Sequence, residues 1–187
     1  MATLVPPVLP AGALAEQPQP RLTSGKLVLR PWAIEDADVL VSAYSDPEIR
    51  RWHVRTMSID EAQEWIGSRQ ERWRRELGAD WAATRDDGIV GRAGLRVIDL
   101  AEGSGELAYW VPPAARGRGV ATAAVQAVTG WAFGALGLQR LELRHWVANA
   151  ASCRVAAKCG FALEGTLRSQ LLHADGWHDV HLHARIG

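Results

Sequence analysis

The sequence predicts one mixed α/β (α+β) domain, a mostly antiparallel sheet of about seven strands flanked by four helices. Three observations carry this. The 187 residues suffice for one domain with a proper core. Period-2 runs are interspersed with helical patterns rather than repeating as regular βαβ units. A strand, Glu106 to Val111, feeds through a Gly-rich turn into an Ala- and Val-rich helix.

Taken in order, residues 1–23 are rich in Pro, Ala and Gly without periodicity, and Pro6, Pro7, Pro10, Pro18 and Pro20 remove backbone donors. This stretch reads as a flexible arm ahead of a single domain over 24–187, or else as a segment packed on the domain or on a partner subunit. Lys26 to Arg30 is a strand closed by Pro31. Asp36 to Tyr44 is a helix with Ala37, Leu40, Val41 and Tyr44 on one face, broken at Asp46-Pro47. Ser58-x-x-Glu61 is a capping box opening a helix to about Leu77. Trp81–Thr84 and Ile89–Ile98 form a hairpin around Asp86-Asp87-Gly88. After the Glu106 strand a helix runs to about Leu136, and Arg140 to Val147 alternates as a strand. Asn149 caps a helix through Lys158 that Gly160 stops. Phe161–Leu167 and His178–Ile186 close the sheet, with a turn at Asp175-Gly176.

Composition excludes several classes. The 21 basic and 21 acidic residues cancel, giving no electrostatic reason for nucleic-acid binding. No apolar run approaches the roughly 20 residues that span a bilayer. The N-terminus lacks the basic and continuous apolar regions of a secretory signal. Cys153 and Cys159 lie six residues apart on one expected helix, too far around it to pair. They read as free thiols in a reducing cytoplasm. Cys153 as a nucleophile would need an adjacent base, which the sequence does not reveal.

Chemistry concentrates at Arg116-Gly117-Arg118-Gly119-Val120-Ala121. Two glycines before a helix start let backbone N–H groups meet a phosphate or pyrophosphate at the positive end of the helix dipole. Two arginines add charge suited to phosphate oxygens. There is no Walker A Gly-Lys-Ser/Thr and no third glycine of a dinucleotide fingerprint. By spacing alone the segment is equally a tight turn that needs glycine.

Arg116-x-x-Gly119-x-Ala121 resembles the Arg/Gln-x-x-Gly-x-Gly/Ala signature of the GNAT superfamily of N-acetyltransferases. Leu27–Pro31 resembles that family's first strand and Gly105–Val111 its fourth. Asn149-x-x-Ser152, followed by Lys158-Cys159-Gly160-Phe161, is similar to the Asn-x-x-Ser…Gly-Phe block of the Rim-type branch, whose members acetylate N-termini of ribosomal proteins. The resemblance spans roughly Ser24 to Ile186.

The resemblance implies the GNAT fold, with central strands Glu106–Val111 and Arg140–Val147 splayed apart, and acetyl-CoA as co-substrate. It implies that backbone groups of Arg116 to Ala121 (Gly117, Arg118, Gly119 and Val120 included) hold the pyrophosphate. Trp110 and Val111 would offer a strand edge to the pantetheine arm, and the Val111 N–H would polarise the thioester carbonyl. Glu106 is the first candidate for the base that deprotonates the amine; its alternative is a sheet-edge carboxylate paired with an arginine. Glu142 and His145, on opposite faces of the next strand, are weaker candidates. Ser152 would meet the thiol sulfur and Asn149 the pantetheine amide, although both residue types also cap helices. Trp32, Trp52 and His53 would line the acceptor pocket beside Glu106, as would Trp110; Trp65 reads as core.

His178, Asp179, His181 and His183 invite a metal reading. With no cysteine or second ligand cluster beside them in the sequence, the expectation is no metal. The resulting expectation is a cytoplasmic acetyl-CoA-dependent N-acetyltransferase acting by direct attack in a ternary complex. The acceptor would be a protein N-terminal α-amine or, alternatively, a small-molecule amine. A CoA-binding regulatory protein is the reading from another class, and a homodimer is compatible with the Pro-rich arm and the nine tryptophans.

Overall fold

The computed structural model describes residues 5–187 other than Val54 and Asp87. The chain runs β1 (Leu22–Ser24), β2 (Leu27–Pro31), α1 (Ala37–Ser45), α2 (Pro47–Arg50), α3 (Ile59–Arg74), β3 (Ala79–Arg85), β4 (Gly88–Asp99), β5 (Ser104–Trp110), α4 (Val120–Trp131), β6 (Arg140–Trp146), α5 (Ala150–Lys158), β7 (Ala162–His173) and β8 (Gly176–Ile186). One eight-stranded sheet has the order β1-β2-β3-β4-β5-β6-β8-β7, antiparallel except for the parallel β5–β6 pair.

The β5–β6 pair fixes the architecture. Its ladder covers only Ser104↔Arg140 to Leu107↔Leu143, after which the strands part. Ala108 to Trp110 keep their partners on β4 but have none on β6, so one edge of β5 carries free backbone donors and acceptors. The expected splay is therefore present.

Two apolar layers hold the sheet. Leu27, Leu29, Trp81, Leu95, Leu107, Leu141 and Leu143 pack with Val120, Val125 and Val128 of α4 and Ala156 of α5. On the other face Trp32, Ala82 and Trp110 pack with Leu40 and Tyr44 of α1 and with Trp65 and Ile66 of α3. Strand alternation separates Leu107 from Trp110 and requires both helix layers. A buried ion pair crosses β3 and β4: Arg92 Nε donates to Asp80 Oδ1 at 2.6 Å, with Asp80 only 2% exposed. Gly94 makes room for it, because a Cβ there would stand 2.8 Å from Asp80 Oδ1.

The structure corrects several expectations. The sheet has eight strands, since Leu22–Ser24 of the Pro-rich segment pairs with β2. The described part of that segment is laid along the domain rather than loose. Gly12, Leu14 and Ala15 donate N–H groups to the Glu76 carboxylate, and the indoles of Trp73 and Trp81 donate to the carbonyls of Gln17 and Pro20. Proline withholds donors but leaves carbonyls to accept, and Leu14 is buried in the first core. Asp46-Pro47 ends α1 but opens the short α2, because proline suits the first helical position and Asp46 accepts from Glu48 and Ile49. The capping box of α3 is present, Ser58 and Glu61 bonding reciprocally. That helix stops at Arg74 rather than Leu77 because Glu76 turns to positive φ, its carboxylate receiving the N-terminal segment. The expected turn residue Asp87 lies outside the described residues. β7 extends beyond Leu167 to His173, so the last two strands form one long hairpin.

Candidate active site

Where β5 and β6 part, a cleft passes between the two faces of the sheet. Alternation places Glu106, Ala108 and Trp110 toward α1 and α3, and Leu107 and Tyr109 toward α4 and α5. The gap lets residues of both faces line one space. On one side it is lined by Trp52, His53, Glu106, Tyr109, Asn149 and Ser152. A second, abutting hollow shares Trp52, His53, Tyr109, Asn149 and Ser152 and adds Trp110, Val111, Arg116 and Ala121. The candidates from the two halves of the sequence thus converge, with Tyr109, Asn149 and Ser152 at the junction.

The Gly-rich turn behaves as its composition requires. Gly117 and Gly119 both have φ +75°, and a Cβ at either would meet nothing within 4 Å. Glycine is needed for the left-handed backbone, and the space in front stays open. Gly119 is the N-cap of α4 and no side chain caps that helix, leaving its first N–H groups available to an external acceptor. The Val120 side chain lies in the core. The guanidinium of Arg116 is occupied: Nε donates to the Val111 carbonyl at 3.0 Å and Nη1 pairs with Glu48. Its side chain braces the turn against α2, and Arg118 remains exposed.

Glu106 is 14% exposed at its side chain, and Arg96 Nε lies 2.8 Å from its carboxylate. Arg96 reaches it because a bulge between Leu95 and Val97 leaves that residue unpaired in the ladder. Glu106 therefore combines both sequence readings, facing the cleft while paired to a solvent-exposed arginine.

Asn149 Oδ1 accepts the Ser152 N–H at 3.0 Å, so the pair does cap α5. That cap holds Ser152 Oγ toward the cleft, 2.9 Å from the hydroxyl of Tyr109. Burial pushes the Tyr109 phenol up to about 12, against a smaller opposing effect of the Ser152 hydrogen bond. Sequence reasoning passed over Tyr109; its period-2 relation to Leu107 was the available signal, but the partner lies 43 residues away.

The acceptor-side expectations divide. Trp52 faces the cleft and meets Trp146 edge to face at 5.5 Å. His53 lines it too; burial, then Arg92 and Arg55, hold its imidazole down to about 4, so it is neutral near pH 7. Trp32 is a correction: at 3% exposure it lies under the site, edge to face with Trp65 at 5.8 Å, and lines neither hollow. Trp65 is core, as its spacing on α3 predicts.

A further cluster adjoins the cleft. His145 of β6, His181 and His183 of β8 and Cys153 of α5 bring one ligand atom each within 4.8 Å of one another.

The open strand edge, the uncapped glycine turn and the paired hydroxyls fit a thioester cofactor with a pyrophosphate. Comparison with known proteins agrees. Residues 26–162 match the family described as acetyltransferase (GNAT) domain. The uncharacterized N-acetyltransferase YoaA of Bacillus subtilis is 27% identical over 89% of this chain and 97% of its own length. The ribosomal-protein-serine acetyltransferase of Escherichia coli is 30% identical over 54% of this chain and 57% of its own. Among solved structures, the microcin C7 self immunity acetyltransferase MccE, in complex with acetyl-CoA and AMP, superposes with a TM-score of 0.79. It is 21% identical, covering 87% of this chain and 93% of that one.

Proposed function

From the premise that this chain belongs to the GNAT acetyltransferase family and is an acetyl-CoA-dependent N-acetyltransferase, we propose that its acceptor is a protein N-terminal α-amine. The observation that carries the site assignment is the junction where Glu106, from one face of the sheet, and the Tyr109–Ser152 pair, from the other, line one cleft. The likeness to a ribosomal-protein-serine acetyltransferase supports the acceptor class.

The free edge of β5 pairs with the amide groups of the pantetheine arm as an added strand would, and Asn149 faces the same arm. The N–H groups of Gly117 to Ala121 receive the pyrophosphate. The Val111 N–H stabilises the negative charge that develops on the thioester oxygen. Glu106 accepts the proton of the arriving ammonium, directly or through one water. The amine nitrogen then attacks the carbonyl carbon, a C–N bond forms and the C–S bond breaks. Ser152, backed by the protonated Tyr109, donates a hydrogen bond to the departing sulfur. The nitrogen's remaining excess proton and the proton held by Glu106 leave toward solvent, and the thiolate takes one proton from solvent to end as a thiol. Trp52 and neutral His53 border the acceptor without adding charge that would repel a cationic amine.

A small-molecule amine is the second reading, favoured by the likeness to MccE, whose structure holds AMP. Thiol release from acetyl-CoA, measured across N-terminal peptides and small amines, separates the two. Turnover confined to peptides with a free α-amine is expected. Turnover confined to small amines would replace the acceptor assignment, and tight CoA binding without turnover on any acceptor would favour a regulatory role.

A further inference from the structure

The histidine–cysteine cluster beside the cleft has a chemistry that acetyl transfer leaves unused. His145 and His181 are directly opposite in the β6–β8 ladder, and His183 lies two residues on, on the same face. α5 covers that face and supplies Cys153. The His145 and His183 rings are 5.1 Å apart and nearly parallel, and His181 stands edge-on to both.

These imidazoles are buried and largely without partners. His145 is 8% exposed and His183 2%. His145 Nε2 and His181 Nδ1 are inaccessible and make no hydrogen bond, and the buried His183 ring has only the Phe161 backbone within reach. A buried ring nitrogen left without a partner gives up its hydration with nothing in return. Several in one spot, none of them in a salt bridge among the described residues, point to an occupant. His145 is also set up as a ligand. Its Nδ1 is 2.7 Å from the Trp146 carbonyl, which can only accept. That contact fixes the proton on Nδ1 and leaves the lone pair of Nε2 facing the cluster, the second-shell arrangement usual for metal-bound histidine.

We propose that His145, Cys153, His181 and His183 bind a divalent transition metal, Zn²⁺ by the character of the donors. Three imidazoles and one thiolate suit Zn²⁺ and exclude the oxygen-seeking Mg²⁺ and Ca²⁺. Tetrahedral zinc with bonds of about 2.0–2.3 Å sets its ligand atoms roughly 3.3–3.7 Å apart. The 4.8 Å envelope closes to that by small side-chain rotations of His181 and Cys153, the half-buried members. Cys153 directly follows Ser152, so the metal clamps the start of α5 to β6 and β8 and fixes the Ser152 hydroxyl at the cleft. It acts as a structural brace adjoining the acetyl-transfer site.

The test is titration of full-length, untagged, metal-stripped protein with Co²⁺ and then Zn²⁺, without CoA. One equivalent of Co²⁺ should give the visible bands of a tetrahedral site and a near-ultraviolet thiolate-to-cobalt band, both erased by Zn²⁺, and Zn²⁺ should raise Tm. Cys153→Ala should abolish the thiolate band, and His181→Gln should weaken binding at least tenfold, with circular dichroism unchanged in both. His178 pairs with Asp175 at the hairpin tip, away from the cluster, so His178→Ala is the control and should bind normally. Absence of the bands, binding that survives Cys153→Ala and His181→Gln, or binding lost only in His178→Ala would each overturn the site.

Discussion

Replacing Glu106 by glutamine keeps the shape of the side chain and removes its capacity to take a proton. Stability should hardly change. The carboxylate's partner, Arg96, is 57% exposed, and ion pairs of that kind contribute about 0–1 kcal/mol. At roughly 2–4 °C per kcal/mol for a domain of this size, Tm falls by no more than a few degrees. Turnover should change far more, because a positioned general base contributes about 10²–10⁴-fold, or roughly 3–5 kcal/mol of barrier. The assay is thiol release under saturating acetyl-CoA, with KM for the donor and Tm measured on the same preparation. Arg96→Gln is the control: it frees the carboxylate without removing it, and kcat should stay within a few-fold. A Glu106→Gln enzyme retaining kcat within threefold would refute the assignment and leave Glu106 as the sheet-edge ion pair. A collapse of Tm by tens of degrees would refute the energetic argument instead.

Gly119→Val forces a β-branched residue into a left-handed φ of +75° and puts a side chain over the first N–H groups of α4; CoA affinity by calorimetry should fall at least tenfold, and unchanged affinity would remove the pyrophosphate assignment. Ser152→Ala and Tyr109→Phe each break one hydroxyl pair, worth about 1 kcal/mol in stability, but Ser152→Ala should lower kcat about tenfold or more and Tyr109→Phe less; equal effects of both on kcat would show that the hydroxyls act as one unit. The depressed pKa of His53 has a signed consequence: its neutral form is favoured on folding, so its contribution is fully present above the unfolded value near 6.5 and is lost as pH falls toward about 4. Unfolding free energy should therefore drop less between pH 6.5 and 4 in His53→Gln than in the parent, and identical slopes by denaturant titration would refute the burial of that imidazole.

Local patterns resolved most of the fold because they report local physics. The capping box at Ser58, the Asn149 cap and the alternation through Glu106–Val111 each need only a few neighbouring residues, and each stands in the structure. The Pro-rich segment was less legible. Its lack of periodicity suggests a loose arm, yet its carbonyls and N–H groups are taken by Trp73, Trp81 and Glu76, more than 55 residues away. Trp32 shows the same limit: an aromatic near a cleft in sequence terms lies beneath it, packed on Trp65 of a distant helix.

By itself the sequence determined the acetyltransferase family, the glycine turn ahead of a helix, and the strands and helices that carry Glu106, Asn149 and Ser152. Only the tertiary structure decided which side chains meet. It paired Tyr109 with Ser152 across the gap between β5 and β6, turned the Arg116 guanidinium back onto Glu48 and Val111, and brought Arg96 to Glu106 through a bulge. The sequence pattern sets His181 and His183 aside for want of further ligands; strand pairing supplies His145 and helix packing supplies Cys153. The physical reason is common to all of these. Periodicity fixes the face on which a residue lies, whereas register, splay and helix docking are set by burial summed over the whole core and decide what stands opposite.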